Sequence, residues 1–443
     1  MQEVKVDFSK GIGKIKPMNA VNNGPACAFE DSAGNFDAYK ALKIPYARLH
    51  DSSFYKGYGG ELTVDVHRIF PDFDADENNP KSYIFAPTDK YLQEIDLAGT
   101  KIYYRLGASI EHHEKKGTYP PKDFAKWARI CEKIILHYTQ GWANGFYYDI
   151  EYWEIWNEPD GVNFDEQGNF SHSATWQGTY ELFHEFYVAV SKYLKEKFPQ
   201  LKIGGCSFTG AWENLTDKFL KAFKKADAPL DFYSFHAYKK DPKRLEHTIR
   251  VADEQRKDSG YPNAELHLNE WNYVDGWTGE ALERSRQAQY SIKGAAFVAA
   301  CMSVAQNTPL DMLMYYDARP CLWNGIFERT TLQPLKTYFS FKAWSKLLDL
   351  GESVAVECDG DLYATGATDG KESAILLTYY NDEDREDKEI CISLDGLNGG
   401  LTAEIYLLDE THDLSLTQTL AVENKITLTM KNQTVCWIKI TKA

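Results

Sequence analysis

Two glutamates end strand-like runs that are rich in apolar residues. Glu158 follows the aromatic and β-branched run of residues 147–156, and Glu270 follows the alternating run of residues 264–268. A single acid at the end of a strand is usually a structural hydrogen-bond acceptor. A pair of opposed carboxylates has a more specific use, because one can protonate a glycosidic oxygen while the other attacks the anomeric carbon.

The spacing of the two acids fits two opposed strands of one barrel. They are 112 positions apart (158 to 270), which leaves room for about three βα units of roughly 30 residues each. Strands that are buried on both faces belong to parallel sheets, and in a β/α barrel the catalytic groups gather at the C-terminal strand ends. We therefore predict a (β/α)8 TIM barrel over residues 12–348.

Three other side chains stand at predicted strand ends. His236 and Tyr238 are two positions apart in a strand, so their side chains leave the same face. A tyrosine hydroxyl can orient a nucleophilic carboxylate and keep it ionised, and the alternative is an aromatic core pair. His50 ends the predicted second strand, where it is either a structural histidine or a group that acts on a substrate.

The last part of the chain has a different texture. From Val354 onward, short alternating runs are separated by turn residues, which is typical of an all-β sandwich. We predict a β-sandwich domain over residues 349–443, joined by an N-terminal strand over residues 2–8. Its surface offers no catalytic cluster.

The sequence resembles the retaining glycoside hydrolases of clan A, and in particular family 39, the β-xylosidase and α-L-iduronidase family. The features that carry this resemblance occur in the same order along the chain: NAVNNGP at 19–25, RLHD at 48–51, YWEIWNEPD at 152–160, DFYSFHAY at 231–238 and LNEWNY at 268–273. The resemblance implies that Glu158 is the acid/base at the end of strand four. It implies that Glu270 is the nucleophile at the end of strand seven.

The resemblance also implies a sugar pocket at the barrel mouth. We expect six substrate-binding residues there: His50, Asn157, His236, Tyr238, Trp271 and Trp323. Within this set, Asn157 is expected to bind the sugar 2-hydroxyl and Tyr238 to contact the nucleophile. Trp323 is expected to form an aromatic platform below the sugar ring.

A β-xyloside is the expected substrate, because bacterial members of family 39 commonly act on xylosides. The segment LNEWNY departs from the β-xylosidase pattern, in which a Thr or Ser precedes the nucleophile. The alternatives are an α-L-arabinosidase, another glycosidase similar to family 39, or a catalytically inactive sugar-binding barrel.

Composition narrows the possible partners. The 443 residues carry a formal net charge of −16, which argues against a nucleic acid or an anionic membrane as the main partner. A glycoside or oligosaccharide fits this charge. No cofactor is expected. No metal is expected either, because the adjacent His112 and His113 cannot share one helix face as zinc ligands do. A homo-oligomer is left open.

The compartment is predicted to be the cytoplasm. No signal peptide is visible, no run approaches the ~20 apolar residues of a membrane span, and the 8 Cys are scattered without a CxxC pair. A secreted or periplasmic location applies if the sequence lacks a leader. Residues 54–83 are predicted to form a long loop over the barrel mouth that shapes specificity.

Overall fold

Two sheets organise the computed structural model of the protein. It describes residues 2–26, 34–50, 63–111, 114–164, 170–321, 323, 325–397 and 399–442, with side chains left undescribed over 162–173. The pair His112 and His113 lies outside this range, and so do residues 51–62, which include the first part (54–62) of the predicted mouth loop. The rest of that loop holds a short helix and a 3-10 turn over Pro80–Ser82.

The strands are named in chain order. In the described part of the chain they are β1 (Gln2–Lys14), β2 (Ala20–Asn22), β3 (Tyr46–Arg48), β4 (Lys101–Leu106), β5 (Tyr152–Ile155), β6 (Val162–Phe164), β7 (Phe170–Ser173), β8 (Lys202–Phe208), β9 (Phe232–Lys239), β10 (Glu265–Tyr273), β11 (Met312–Tyr315), β12 (Glu352–Glu357), β13 (Leu362–Thr368), β14 (Ser373–Tyr379), β15 (Lys388–Asp395), β16 (Leu401–Leu408), β17 (Asp413–Val422), β18 (Lys425–Met430) and β19 (Thr434–Lys442).

The helices between them are named in the same way. They are α1 (Phe36–Ala41), α2 (Val66–Ile69), α3 (Ala86–Leu97), α4 (Phe124–Gln140), α5 (Tyr180–Lys197), α6 (Thr216–Lys225), α7 (Pro242–Asp258), α8 (Gly279–Gln289), α9 (Ile292–Gln306) and α10 (Lys336–Leu350).

Eight parallel strands close into a barrel. Their order around it is β2, β3, β4, β5, β8, β9, β10 and β11, with β11 paired back to β2. The strand starts fill the lower interior with a packed cluster that includes Tyr103, Tyr152, Phe232 and Met312. Charged and polar side chains replace this cluster nearer the C-terminal strand ends: Arg48, Glu154, Ser207, Ser234 and Asn269 are all buried there. The functional groups therefore rest on a rigid apolar floor.

The other sheet has nine strands, in the order β17, β16, β19, β14, β13, β12, β1, β15 and β18. Its neighbours pair antiparallel except β1 and β15, which run parallel. Inward side chains from both ends of this order, such as Ile405 of β16 and Ile426 of β18, join one apolar cluster. The sheet therefore folds over a shared core, as a sandwich does.

The predicted fold class is confirmed: a TIM barrel stands beside an all-β unit that the N-terminal strand joins. One detail differs from the prediction: strand β1 spans Gln2–Lys14 and is therefore longer than the predicted strand over residues 2–8. We keep the predicted domain division near residue 349 as a proposal, since α10 ends at Leu350 and β12 begins at Glu352.

Two other expectations concern the whole chain. None of the described helices is long and apolar enough to cross a membrane. Seven of the cysteines are free thiols, and Cys27 lies outside the described residues.

Candidate active site

Glu158 lies in a turn just beyond β5. The backbone N–H of Trp156 donates to Leu106 O of β4 (2.7 Å), and the N–H of Glu158 donates to Ser207 O of β8 (2.9 Å). The φ angles of +73° at Trp156 and +48° at Glu158 are left-handed. Such conformations cost a residue other than glycine about 1–3 kcal/mol and persist only where the surroundings impose them. The adjacent strands therefore hold Glu158 in a strained turn.

Gly107 gives this turn the room that it needs. Its φ is +142°, a backbone conformation that residues other than glycine rarely adopt. A Cβ at Gly107 would lie 3.1 Å from the Cα of Trp156, which is tighter than ordinary van der Waals contact. The residue after β4 must therefore lack a side chain so that the turn of Glu158 can pack against it.

A β-bulge in β10 aims Glu270. Its register with β9 shifts between Leu268 and Glu270, which leaves Asn269 as the extra residue. Asn269 donates to Glu154 Oε1 (2.6 Å), and Glu270 accepts from Arg48 (2.9 Å). Both neighbours consequently face the barrel interior, although simple alternation would send them to opposite faces.

The two glutamates meet at the barrel mouth. One carboxylate oxygen of each, together with a ring nitrogen of His236, lies within 4.8 Å of the others. Glu270 is 4% exposed, whereas the side chain of Glu158 keeps 20% of its surface accessible. The pair thus combines a deep carboxylate with a more open one.

Arg48 forms the base of this pair. Its fully buried guanidinium donates from all three nitrogens. The acceptors are Glu154 Oε2 (2.6 Å), Asn22 Oδ1 (2.9 Å), Glu270 Oε1 (2.9 Å), Asn157 Oδ1 (2.7 Å) and Ser207 Oγ (2.8 Å). The planar, permanently charged guanidinium of Arg48 therefore fixes the position of Glu270 relative to Asn157, the neighbour of Glu158.

His236 lies beside both Glu158 and Glu270, and Tyr238 lies beside Glu270. Nδ1 of His236 lies 2.8 Å from Glu158 Oε1 and 3.4 Å from Glu270 Oε2. The Tyr238 hydroxyl donates to Glu270 Oε2 (2.9 Å). Burial lowers the pKa of His236 to about 4, so its ring is neutral near neutral pH. A neutral ring can donate from Nδ1 to whichever carboxylate is ionised.

Burial dominates the electrostatics of Glu270. It raises the pKa of Glu270 above its ordinary value, and the charge of Glu158 adds to the rise. The charges of His236 and Arg48 and the hydrogen bond from Tyr238 oppose it. Since His236 is neutral near neutral pH, Arg48 and Tyr238 are the groups that keep Glu270 ionised there.

His50 and Asn157 complete the ring of polar groups. Nε2 of His50 lies 3.2 Å from Glu270 Oε1, and burial, with the charge of Arg48, lowers the pKa of His50 well below its ordinary value. Asn157 is buried, and its Nδ2 has no hydrogen-bond partner among the described residues. One amide donor therefore remains for a bound hydroxyl.

Aromatic rings rim one side of the site. Trp277 packs edge-on against Tyr238, with ring centroids 5.0 Å apart, and its ring lies 5.4 Å from that of Trp323. Arg286 covers Trp323 at 5.8 Å. Trp277 is 57% exposed, so it presents a flat apolar face to solvent beside the carboxylates. Such faces suit stacking against sugar rings.

Comparison with known proteins bears on this geometry. Residues 77–267 match Glycosyl hydrolases family 39. The matched range includes Glu158, His236 and Tyr238 and ends before Glu270. The predicted resemblance to family 39 is confirmed. The protein is a glycoside hydrolase.

Individual relatives agree with this result. The hydrolase is similar to a Beta-xylosidase of Geobacillus stearothermophilus, at 23% identity over 358 residues that cover 73% of this chain and 67% of the relative. In fold it is similar to a glucosidase from Croceicoccus marinus, at 21% identity and TM-score 0.79, over 100% of this chain and 99% of that chain. It is also similar to a monomeric beta-xylosidase from Caulobacter crescentus, at 16% identity and TM-score 0.72, over 100% of both chains.

The prediction that Trp271 binds substrate is wrong for this hydrolase. Trp271 has no exposed surface, and its ring packs against Tyr315 and against Phe297 of α9. After the bulge, β10 resumes its alternation, so the residue following Glu270 points outward to the helix layer. Of the other five predicted substrate-binding residues, His50, Asn157, His236 and Tyr238 contact the carboxylates or Arg48. Trp323 lies further out, against Trp277.

Sequence reasoning missed two residues of the hydrolase site. Arg48 stands in the motif RLHD, where its place two residues before His50 was the available signal. Trp277 follows a Gly in the loop after β10, and no pattern in the sequence marks it.

The site also has the composition of a cation site. Glu158, His236 and Glu270 each offer one ligand atom, and by distance these atoms could hold a metal ion. The same atoms already form hydrogen bonds, from His236 to Glu158 and from Tyr238 to Glu270. In the hydrolase these contacts account for the cluster without an ion.

Proposed function

We propose that the protein hydrolyses β-xylosides by double displacement, with retention of anomeric configuration. The observation that carries this proposal is the separation of Glu158 and Glu270, whose facing atoms lie within 4.8 Å. Retaining glycosidases place their carboxyl groups roughly 5–5.5 Å apart, whereas inverting enzymes need about 6.5–9.5 Å to admit a water molecule. The close spacing favours direct attack by one carboxylate.

In the first step, Glu270 attacks the anomeric carbon and forms a covalent glycosyl-enzyme. Glu158, protonated at this stage, gives its proton to the departing oxygen. The assignment follows the surroundings. Glu270 is the deeper acid and receives hydrogen bonds from Arg48 and Tyr238, which favour its ionised form. Glu158 is the more accessible acid, as a proton donor to a leaving group must be.

In the second step, Glu158 takes a proton from water, and the water oxygen displaces Glu270 from the anomeric carbon. The hydrogen bonds from Arg48 and Tyr238 then stabilise the carboxylate that leaves. The free Nδ2 of Asn157 is suited to the sugar 2-hydroxyl, a contact that strengthens as positive charge develops on the ring.

The choice of sugar rests on the relatives. The relative from Geobacillus stearothermophilus carries the name Beta-xylosidase, and so does the structural neighbour from Caulobacter crescentus. A neutral pentoside also suits a site in which Arg48 is paired with Glu270 and Glu154, and Glu158 with His236. An α-L-arabinosidase and a sugar-binding barrel without activity are the competing outcomes.

A panel of aryl glycosides tests the proposal. We expect the protein to release phenol fastest from the β-xyloside, more slowly from the α-L-arabinoside, and least from the β-glucoside and β-galactoside. Fastest release from another sugar would replace the substrate while leaving the chemistry in place. Release from none of them would support the inactive sugar-binding barrel. Treatment with EDTA is expected to leave the rate unchanged.

The role of Glu158 is tested by leaving groups of different acidity. In Glu158→Ala, hydrolysis of an aryl xyloside with a poor leaving group should fall about 100-fold or more, because protonation of the oxygen is lost. A substrate with an acidic phenol needs little protonation and should keep much of its first-step rate. Equal losses on both substrates would remove the acid role from Glu158.

A further inference from the structure

A cavity of about 540 Å³ opens where the barrel meets the nine-stranded sheet. Residues 238–244 line it from the barrel, and residues 380–383 line it from the sheet. One lining residue is Tyr238, whose hydroxyl donates to Glu270. The volume falls in the range of about 300–1,000 Å³ that is typical of small-molecule sites. The cavity therefore adjoins the reaction centre and has room for a ligand.

Three cations in this wall lack acidic partners. Lys239, Lys243 and Arg244 line the cavity, and none has a carboxylate within 4.0 Å among the residues that the structure describes. We call these three residues the cationic groove.

The acids of the same cavity are engaged elsewhere. Asp275 pairs with Lys240 and with Arg284 (2.8 Å), and Asp382 pairs with Lys293 (2.7 Å). Asp361 pairs with Lys388 (3.5 Å), and Glu383 pairs with Arg385 (2.8 Å). Asp241 is the N-cap of α7 and accepts from the backbone of Lys243 (2.9 Å), so among the described lining acids it alone has no cation within 4.0 Å. The three cations of the cationic groove therefore outnumber the acid charge left to offset them.

This arrangement is electrostatically unfavourable on its own. Lys243 and Arg244 lie in the first turn of α7, where the helix dipole favours acidic side chains. Lys239 is partly buried, and burial together with the charge of Arg244 lowers its pKa. A bound anion would relieve both conflicts.

We propose that the cationic groove binds a carboxylate carried by the substrate, on a uronic acid unit next to the sugar that is cleaved. A neutral sugar would not require three unpaired cations. A substrate carboxylate is favoured over a free anion because Tyr238 belongs both to this cavity and to the reaction centre. This inference rests on the proposed function and extends it to a class of branched or acidic oligosaccharides.

Two xylo-oligosaccharides test the inference, one neutral and one carrying a single glucuronic acid branch. For the wild-type protein we expect kcat/KM to be higher on the acidic substrate. In the variant with Lys239→Gln, Lys243→Gln and Arg244→Gln, the ratio of acidic to neutral kcat/KM should fall about tenfold, since exposed and partly buried pairs contribute modestly. Raising the salt concentration should lower the wild-type ratio as well.

Lys192→Gln is the matched control, because Lys192 is an exposed lysine of α5 outside the cavity. It should leave the ratio unchanged. No preference for the acidic substrate in the wild type, or a ratio that the triple variant does not move, would overturn the inference. Inorganic phosphate serves as a separate probe: inhibition that the triple variant relieves, without any substrate preference, would make the groove a general anion site and also overturn it. Failure of the proposed function is distinct, since the wild type would then cleave neither substrate.

Discussion

At the scale of single residues, Arg48 links the nucleophile candidate to the buried polar groups around it. It binds Glu270 directly, binds Asn157 beside Glu158, and neutralises the buried Glu154. Removing one partner from a buried charge network leaves the other partners uncompensated, which costs several kcal/mol. The site is therefore a single electrostatic unit and not two independent acids.

Replacement of Arg48 tests this view through pH dependence. The nucleophile must be ionised, so the acid limb of kcat/KM should lie above the ordinary Glu value of about 4.3, because burial raises the pKa of Glu270. Arg48→Lys keeps a charge but loses the planar fork, so the pKa of Glu270 should rise further. We expect the acid limb to move to higher pH and kcat/KM to fall about 100-fold.

Arg105→Lys provides the control for that experiment. Arg105 is another buried arginine on β4, and it pairs with Asp65 (2.9 Å) instead of the catalytic candidates. It should lose stability without moving the acid limb. An unmoved limb in Arg48→Lys would show that Glu270 does not govern it.

The residues themselves were partly predictable. His236 and Tyr238 could be assigned to one face from strand parity, and Glu158 and Glu270 could be placed at strand ends. The structure brings all four side chains together. Arg48 could not be assigned, because a buried arginine is uncommon and its role depends on partners from four other strands.

At the scale of elements, the irregular strand ends position the site. Regular alternation predicted the barrel strands, but it could not predict the bulge in β10 or the left-handed turn after β5. Both depend on the neighbouring strands and not on local sequence. For this reason the expectation that Trp271 binds substrate was wrong.

The turn of Glu158 is tested at Gly107. In Gly107→Ala the new Cβ would lie 3.1 Å from Trp156 Cα, so the turn must shift and carry Glu158 with it. We expect kcat/KM to fall about 100-fold, because displacement of a catalytic group by about 1 Å has effects of this order. Gly99→Ala is the matched control, since Gly99 also has a positive φ (+79°) but no atom within 4 Å of the added Cβ. Similar losses in both variants would show that backbone strain alone, and not the turn, determines the effect.

At the scale of the whole molecule, the nine-stranded sheet is built from both ends of the chain. Strand β1 precedes the barrel and β12 follows it, and Ile15 N donates to Gly351 O (2.9 Å) where the two connections run side by side. Asp382 of the sheet unit also accepts from Tyr273 (2.6 Å) and Lys293 (2.7 Å) of the barrel. The change to short alternating runs after the predicted boundary at residue 349 predicted two units. It gave no information on the contacts between them.

These contacts predict that barrel and sheet unfold together. Calorimetry should show one thermal transition, and Asp382→Ala should lower its midpoint by a few degrees without splitting it. Asp349→Ala is the control, because it removes only the exposed pair with Lys43 and should have little effect. Two separate transitions in the wild type would contradict joint unfolding.

The stereochemistry of hydrolysis tests the central claim most directly. An aryl β-xyloside is hydrolysed in an NMR tube, and the anomeric proton of the first free xylose is observed before the sugar mutarotates. Attack by Glu270 followed by water predicts that β-xylose appears first. The appearance of α-xylose first would contradict double displacement by Glu158 and Glu270.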